Sequence, residues 1–548
     1  MHVPLSLTFL LIVAHTVLAL WPLPNGLSNG TKVLRLSSQF SIVLEVDNAP
    51  TDVQEAVDRT LSSIEPNQLI APLVVGRASA DNSSLATAAD LSALVLLLTD
   101  GATVHSIAEE AVLPIGTRDE SYSLTVPSDG SNATLVASTT LGLLRGLTTF
   151  QQLWYTTGVV VYARQTPVTV IDDNPDYPYR GFMLDTARNF FPKADILRTL
   201  DAMSFVKLNT FHWHVSFPLE VAEFPELSLY GAYSTEQIYS TSDVQEIVEY
   251  AAKRGIDVLM EIDNPGHTSA IGMAYPEYVA CYDASPWSTY AGEPPAGQLR
   301  FSSDETTNFT VNLLTTVARN LSSSLFSTGG DELNIPCYTD DSLTQQELAD
   351  KNVTLAEALE AFTQVTHGAL KDIGKTPVVW EEMVLDYNIT LSNETIVMIW
   401  ISSEDAASVA AKNFRIIQAP SDYFYLDCGA GGWLGDDPSG NSWCDPFKTW
   451  QKAYTFDPLA NLTSDQTSLV LGGEQLLWTE QSSPENLDPI VWPRAAVAGE
   501  VFWTQSASLD IETALPRLHD LRYRLVQRGV RAIALQPEYC ALRPGACD

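Results

Sequence analysis

Basic residues are scarce in this sequence. It carries 30 Lys and Arg against 67 Asp and Glu, a formal net charge of −37 at pH 7. Such a surface repels the phosphates of nucleic acids and the headgroups of anionic membranes. We therefore expect neither nucleic acid nor a membrane as a partner, and the charge suits an acidic medium.

Long apolar runs are missing beyond the first twenty residues. The stretch Leu5–Leu20 is apolar and contains Val17-Leu18-Ala19, a small-residue pattern typical of secretory cleavage sites. A membrane anchor is the alternative, but the stretch is short for a span. We predict a signal peptide over residues 1–19 and a secreted, soluble protein, located outside the cell, in the cell wall or in the vacuole.

Cysteines number only six, and none shows Cys-x-x-Cys spacing, so no metal site is predicted. An even count in a secreted chain indicates disulfides, although six cysteines allow 15 connectivities. Proximity along the chain favours three local pairs: Cys281 with Cys337, Cys428 with Cys444, and Cys540 with Cys547.

Sequons for N-glycosylation are frequent, and they act as acceptors only in a secretory context. Nine Asn-x-Ser/Thr sequons are present: Asn29, Asn82, Asn132, Asn308, Asn320, Asn352, Asn388, Asn393 and Asn461.

The chain divides near residue 175, within the polar, proline-rich stretch Asp172–Pro178. Before it, strand-like runs mix with helical ones, which predicts a small α/β domain over residues 20–175. The strand-like runs are Val33–Leu36, Ile42–Val46, Leu94–Leu98 and Tyr122–Val126, and the helical ones are Asp52–Ser62 and Thr139–Trp154. After it, apolar strand patterns alternate with helical ones, which include Ala194–Lys207, Ser242–Arg254, Thr307–Ser323, Leu355–Ile373, Glu404–Lys412 and Ile511–Arg528. We count eight candidate strands: Arg180–Asp185, Asn209–Val215, Asp257–Asp263, Leu325–Asp331, Pro377–Glu382, Thr395–Ile401, Phe414–Ala419 and Leu469–Trp478.

This alternation implies parallel pairing. Eight such units over residues 176–548 fit a (β/α)8 TIM barrel, so the predicted fold class is α/β, a barrel preceded by a smaller α/β domain. A doubly wound open sheet is the alternative. It usually carries a glycine-rich phosphate loop, which this sequence lacks.

Two adjacent acids, Asp331 and Glu332, follow Ser327-Thr328-Gly329-Gly330 at the end of a candidate strand. Neighbours on a regular strand point to opposite faces, so both can face one pocket only at an irregular strand end, which glycines permit. Adjacent acids also differ from an acid and a nucleophile that flank a glycosidic bond about 5 Å apart. They indicate one proton-transfer residue with a helper; a solvated turn is the alternative.

Carboxylates and aromatic side chains recur at the carboxyl ends of the candidate strands, the face where barrels of this kind carry their active sites. Carboxylates bind hydroxyls, and indole faces pack on sugar rings. The pattern therefore favours a neutral, polyhydroxylated ligand over a phosphorylated one.

Several motifs resemble the β-N-acetylhexosaminidases of glycoside hydrolase family 20, with secreted fungal members the most similar in character. The resemblance runs in order from about residue 139 to the C-terminus. It is carried by Arg180–Arg188, His212-Trp213-His214, Asp263–His267, Gly329–Glu332 and Trp492–Ala495, together with Tyr425–Gly429.

The resemblance implies exo-acting, retaining hydrolysis in which the 2-acetamido group of the substrate attacks C1. It implies that Glu332 is the acid and base, that Asp331 and Tyr425 hold the acetamido group, and that His267 supports Glu332. It also implies a set of substrate-binding residues: Arg180, Trp380, Trp400, Asp427, Trp478 and Glu480.

Further expectations follow from the same resemblance. The substrates are expected to be chito-oligosaccharides or the termini of N-glycans, and the reaction is expected to need no cofactor. Members of the family commonly form homodimers through the last loops of the barrel. Their selectivity between N-acetylglucosamine and N-acetylgalactosamine is left open by the motifs.

One departure from the family pattern lies after His214, where the chain runs directly into Ser216-Phe217-Pro218. The segment that is absent carries an Asp that, in the family, supports the histidine that sets the proton affinity of the acid. A catalytically impaired sugar-binding relative is therefore the first alternative. An ordinary retaining glycosidase, with Glu261 or Glu381 as nucleophile, is the second.

Overall fold

The computed structural model describes residues 18–216, 218–387 and 389–547. Most of the predicted signal peptide and the sequon at Asn388 lie outside the described residues. Within the described part, no helix combines the length and the apolar character that crossing a membrane requires.

A six-stranded sheet with helices packed against it forms the first part of the chain. Its strands follow the spatial order β1-β2-β4-β3-β6-β5, in a mixture of parallel and antiparallel pairs. The predicted α/β character is correct, although β1 joins two runs that the sequence pattern separates. The strands and helices are β1 Leu27–Glu45, β2 Ala89–Leu98, β3 Tyr122–Val126, β4 Ala133–Ala137, β5 Trp154–Thr156 and β6 Val161–Asp173, with α1 Thr51–Ser63, α2 Asn82–Leu85, α3 Ile107–Ala111 and α4 Thr140–Gln152.

The second part contains a closed barrel of eight parallel strands. Because β7 pairs with both β8 and β16, the sheet has no open edge, and the doubly wound alternative is excluded. All eight predicted strands are confirmed. The strands of this part are β7 Tyr179–Asp185, β8 Thr210–His214, β9 Asp257–Glu261, β10 Val279–Ala280, β11 Gln298–Leu299, β12 Leu325–Ser327, β13 Thr376–Trp380, β14 Ile396–Ile399, β15 Arg415–Gln418 and β16 Val470–Leu477, of which β10 and β11 pair as a separate ribbon.

Helices surround the barrel and bury the outer faces of its strands, which is why these strands read as nearly continuous apolar runs. The long predicted helices are confirmed. The helices of this part are α5 Lys193–Phe205, α6 Pro225–Gly231, α7 Thr241–Ala252, α8 Ser269–Ala274, α9 Asp304–Arg319, α10 Ile335–Asp340, α11 Ser342–Lys351, α12 Leu355–Asp372, α13 Glu382–Leu385, α14 Ala406–Ala410, α15 Ser421–Phe424, α16 Trp450–Tyr454, α17 Leu487–Val491, α18 Ala496–Val501, α19 Ile511–Gln527 and α20 Glu538–Ala541.

A charged cluster around His212 lies inside the barrel. Its Nδ1 lies 2.8 Å from Oε1 of Glu474, and its Nε2 lies 2.9 Å from Oε2 of Glu261. Burial opposes protonation of His212, yet the two carboxylates raise its pKa to about 10. The imidazolium therefore pairs with two buried carboxylates and links β8 to β9 and β16.

Buried ion pairs join the first part of the chain to the N-terminal end of the barrel. Glu120 accepts from Nε of Arg145 at 2.7 Å and from Nη2 of Arg180 at 2.6 Å. Nearby, Nζ of Lys207 lies 3.2 Å from Oδ2 of Asp173. This interface lies at the end of the barrel opposite to the carboxyl ends of its strands.

The three disulfides pair as predicted: Cys281–Cys337, Cys428–Cys444 and Cys540–Cys547. Two of them attach loops at the carboxyl ends of the barrel strands. The asparagines of the eight described sequons are all exposed at the surface, where an acceptor must lie.

Candidate active site

Strand β12 ends at Ser327 and leads into a tight, irregular turn. Gly329, Gly330 and Glu332 have φ values of 63°, 97° and 52°. A Cβ on Gly329 would lie 1.9 Å from Oδ1 of Asp263, so only glycine fits against that carboxylate. This turn lets both Asp331 and Glu332 line one pocket, which confirms the predicted irregular strand end.

Asp331 is buried beside Asp263. Its Oδ1 has no hydrogen-bond partner among the described residues. Oδ1 of Asp263 accepts a 2.9 Å hydrogen bond from the backbone N–H of Gly330. Burial and the charge of Asp331 raise the pKa of Asp263 well above its usual range. Burial raises the pKa of Asp331 as well, while the charge of His267 opposes that rise, and the unpaired Oδ1 of Asp331 presents an acceptor to the pocket.

Glu332 contacts His267 at the rim of the same pocket. Nε2 of His267 lies 3.4 Å from Oε2 of Glu332 and 3.7 Å from Oδ2 of Asp331. Burial opposes ionisation of Glu332, but His267 more than offsets it and holds the pKa of Glu332 below its usual value. Burial likewise opposes the charge of His267, yet the surrounding carboxylates raise its pKa to about 10.

Aromatic rings form the walls of this pocket. The rings of Trp380 and Trp478 lie 6.1 Å apart, and those of Trp400 and Tyr425 are stacked at 6.3 Å. Nε1 of Trp380 donates a 3.0 Å hydrogen bond to Oε1 of Glu261, which fixes the indole at the end of β13. The three predicted tryptophans thus surround one cavity.

The hydroxyl of Tyr425 is buried in this aromatic wall and has no hydrogen-bond partner among the described residues. Burial raises its pKa well above the usual range, so the phenol stays protonated and can donate. The unpaired atoms of this pocket therefore include a donor, the Tyr425 hydroxyl, and an acceptor, Oδ1 of Asp331.

Two further carboxylates and one arginine lie farther round the pocket. Burial raises the pKa of Asp427 to about 7 and that of Glu480 to about 8. Nε of Arg188 lies 3.8 Å from Oε1 of Glu480. These polar groups face the hydroxyl-bearing edge that a sugar ring would present.

The predicted binding role of Arg180 is wrong. Its side chain is completely buried at the start of β7, where it pairs with Glu120 and donates from Nε to the carbonyl of Lys207 at 3.0 Å. The pocket lies at the carboxyl ends of the strands, so Arg180 is at the opposite end of the barrel. Arg188, which follows the end of β7 in the same motif, is the arginine that lines the pocket.

Sequence reasoning missed several lining residues. A signal for two of them was present, because Trp433 and Trp443 lie between Cys428 and Cys444, whose disulfide holds the connecting segment against the pocket. The ring of Trp443 is perpendicular to that of Trp400, with centroids 5.4 Å apart. Glu293 also lines the pocket, but it sits in an irregular segment with no motif.

The candidates for a separate nucleophile do not line this pocket. Glu261 is fully buried and accepts from Ser327 and Trp380. Glu381 is also fully buried, and its Oε1 accepts from the backbone N–H of Ile401. Neither can reach the anomeric carbon of a ligand beside Glu332, which argues against an ordinary retaining glycosidase.

The cavity volume is about 150 Å³. That is smaller than the roughly 300–1,000 Å³ of pockets that take drug-sized ligands. Its size, aromatic walls and polar groups suit a single sugar unit, with an acid at the mouth to protonate a leaving oxygen.

Comparison with known proteins agrees with this geometry. The sequence model of the glycosyl hydrolase family 20 catalytic domain matches residues 177–506, and a model described as beta-acetyl hexosaminidase like matches residues 20–153. A beta-hexosaminidase of Arthroderma benhamiae is 37% identical over 456 residues, covering 78% of this chain and 74% of that protein.

An insect relative and a solved structure are also similar. The chitooligosaccharidolytic beta-N-acetylglucosaminidase of Ostrinia furnacalis is 34% identical over 453 residues, covering 78% of this chain and 75% of that protein. The chitobiase structure of Flavobacterium johnsoniae superposes with a TM-score of 0.72 at 25% identity, covering 94% of this chain and 73% of that one.

Proposed function

Because this chain belongs to glycosyl hydrolase family 20, we propose that its pocket releases terminal, non-reducing β-linked N-acetylhexosamine residues by a retaining, substrate-assisted reaction. One observation carries the assignment of the site. Asp331 and Tyr425 present a buried acceptor and a buried donor, both unpaired within the described residues, in a tryptophan-walled cavity. An acetamido group complements this pair, because it offers one N–H donor and one carbonyl acceptor.

In the first step, the acetamido carbonyl oxygen of the substrate forms a bond to C1 as the bond from C1 to the leaving oxygen breaks. Glu332 transfers its proton to that leaving oxygen. The ring nitrogen of the resulting oxazolinium ion gains positive charge, which the carboxylate of Asp331 stabilises. The Tyr425 hydroxyl orients the carbonyl oxygen for attack.

In the second step, water attacks C1 and the oxazolinium ring opens. Glu332, now ionised, accepts the proton of that water. Two successive inversions at C1 retain the β configuration. The low pKa that His267 gives Glu332 favours this ionised form between the two steps.

The surrounding groups hold the sugar. Trp380, Trp400 and Trp478 enclose the acetyl methyl group, and Asp427, Glu480 and Arg188 bind the ring hydroxyls. The cavity accommodates one sugar unit, which supports removal of a terminal residue rather than internal cleavage.

The impaired alternative has little support. It depends on the missing acid after His214, yet the contact between His267 and Glu332 is in place at 3.4 Å. Asp331 and Tyr425, the proposed acetamido-binding pair, also line the pocket.

The biological setting is also part of the proposal. Three disulfides and eight exposed sequon asparagines support secretion with N-glycosylation after removal of residues 1–19. The relative from Ostrinia furnacalis, which is named as chitooligosaccharidolytic, supports chito-oligosaccharide ends as substrates. N-glycan termini and a homodimer stay predictions, as does the domain boundary near residue 175.

The decisive experiment compares release of p-nitrophenol from p-nitrophenyl N-acetyl-β-glucosaminide and p-nitrophenyl β-glucoside. We expect turnover of the first alone, and loss of that turnover in Glu332→Gln. Equal rates on both substrates would reject substrate assistance. The paired N-acetyl-β-galactosaminide measures the preference between the two epimers.

A further inference from the structure

His267 has two ring nitrogens, and both face carboxylates. Its Nε2 approaches Glu332 at 3.4 Å, whereas its Nδ1 lies 3.7 Å from Oε1 of Glu293. An imidazolium carries a proton on both ring nitrogens, so an anion beside Nδ1 stabilises the charge that Nε2 presents to Glu332 and favours one ring orientation. The carboxylate on Nδ1 therefore bears directly on how His267 acts on Glu332.

The segment after β8 does not supply that carboxylate. Ser216, His267 and Glu293 line a common cavity of about 340 Å³. The first acid after His214 is Glu220, which accepts from the backbone N–H of Thr241 at 2.9 Å instead. Within the described residues, Glu293 is the one carboxylate recorded within 4.0 Å of Nδ1 of His267.

Glu293 is held in place by Arg188. Nε of Arg188 donates to Oε1 of Glu293 at 2.8 Å, and Nη2 of Arg188 also donates to that oxygen. The same Oε1 therefore faces two cations, the guanidinium and the imidazolium. Arg188 opposes the positive charge of His267. Glu293 lies against both groups, so its negative charge acts against this repulsion.

The segment that carries Glu293 is fastened to the segment that follows Glu332. A Cβ on Gly292 would lie 2.5 Å from Oε2 of Glu332, so the backbone there rests directly against the acid. Nε2 of Gln298 donates to the carbonyl of Asn334 at 3.0 Å, and the Cys281–Cys337 disulfide joins the two segments as well. Glu293 is thus fixed relative to Glu332.

We propose that Glu293 is the positioning residue for His267 in this chain, taking the place of the acid that is missing after His214. Held by Arg188, it orients the imidazole and stabilises the imidazolium that contacts Glu332. This inference rests on the proposed function for its effect on turnover, but the contact itself can be tested without any substrate.

The test uses the full chain and three proteins: wild type, Glu293→Gln and Glu293→Asp. The first readout is the pH at which the His267 imidazole titrates by NMR, assigned by comparison with His267→Gln. The charged groups that face this imidazole are Glu332, Asp331, Asp263, Glu293 and Arg188.

Removal of an anion destabilises the imidazolium, so we expect Glu293→Gln to lower the His267 titration by about one pH unit, which corresponds to about tenfold in the equilibrium. The kcat should fall about tenfold with KM within about twofold. Glu293→Asp retains the charge and should keep both quantities close to wild type.

A purely structural role through Arg188 predicts a different result. It would raise KM, since Arg188 lines the sugar pocket, and would leave the His267 titration unchanged. That outcome, or an Asp variant as impaired as the Gln variant, overturns the proposal. Wild-type protein without turnover would instead count against the proposed function, while the titration would still decide whether Glu293 stabilises the imidazolium.

Discussion

Nε2 of His267 lies 3.4 Å from Oε2 of Glu332, so a cationic ring contacts the proposed acid directly. General acid catalysis requires the protonated carboxyl, whereas the imidazolium favours the carboxylate. The pair therefore places the working range of the enzyme on the acidic side, in keeping with a net charge of −37.

Replacing His267 by Gln should show how the imidazolium affects the protonated and the ionised forms of Glu332. Without the imidazolium the pKa of Glu332 rises, so the alkaline limb of the kcat/KM profile should move to higher pH. The value of kcat should fall about 10²-fold, because the ionised form of Glu332 after proton transfer loses its stabilising charge. A pH–rate series from pH 3 to 8 checks this, and an alkaline limb that stays in place would contradict it.

Replacing Asp331 by Asn should preserve shape and remove the charge that stabilises the oxazolinium ion. The loss should appear in kcat more than in KM, since the interaction strengthens in the transition state. We expect about 10²-fold to 10³-fold, or about 3–4 kcal/mol. Steady-state kinetics on the acetamido substrate measures it, with Tyr425→Phe as a companion that removes the matching donor. A normal kcat in Asp331→Asn would exclude the assigned role.

Replacing Arg180 should change folding stability, whereas replacing Arg188 should change the kinetics. Arg180→Gln breaks a completely buried ion pair with Glu120, so unfolding should become easier by about 3 kcal/mol with KM unchanged. Arg188→Gln should instead raise KM, because its guanidinium faces the pocket, and should also lower kcat, because Arg188 holds Glu293 beside His267. Thermal melts and kinetics on both variants distinguish the two positions. A raised KM in Arg180→Gln would restore the role first inferred from its motif.

The cluster at His212 should make stability depend on pH. Its pKa is raised to about 10 in the folded protein, against about 6.5 for an unperturbed histidine. The stabilisation is therefore complete below about pH 6.5 and is lost as the pH rises towards 10. Denaturant unfolding at pH 6 and pH 9 measures this loss. His212→Gln should be less stable at pH 6 and should show a smaller decrease between the two pH values.

Much of the fold was predictable because each barrel strand is short, apolar and followed by a helical pattern. The eight strands and the long helices were all placed correctly from that alternation. Strands β4, β5 and β6 were missed, since the first part of the chain mixes parallel and antiparallel pairs whose order the pattern does not encode. The cysteine pairs were predictable because each joins two cysteines that follow one another in the sequence, with no other cysteine between them.

The sequence by itself determined which residues can do chemistry: adjacent acids after two glycines, tryptophans at strand ends, and cysteines in local pairs. Only the tertiary structure decided which of them meet. Strand direction separates Arg180 from Arg188 by the length of the barrel, although eight positions along the chain are all that divide them. Glu293 reaches His267 through an irregular segment, and such a contact depends on packing between distant loops, which no local periodicity records.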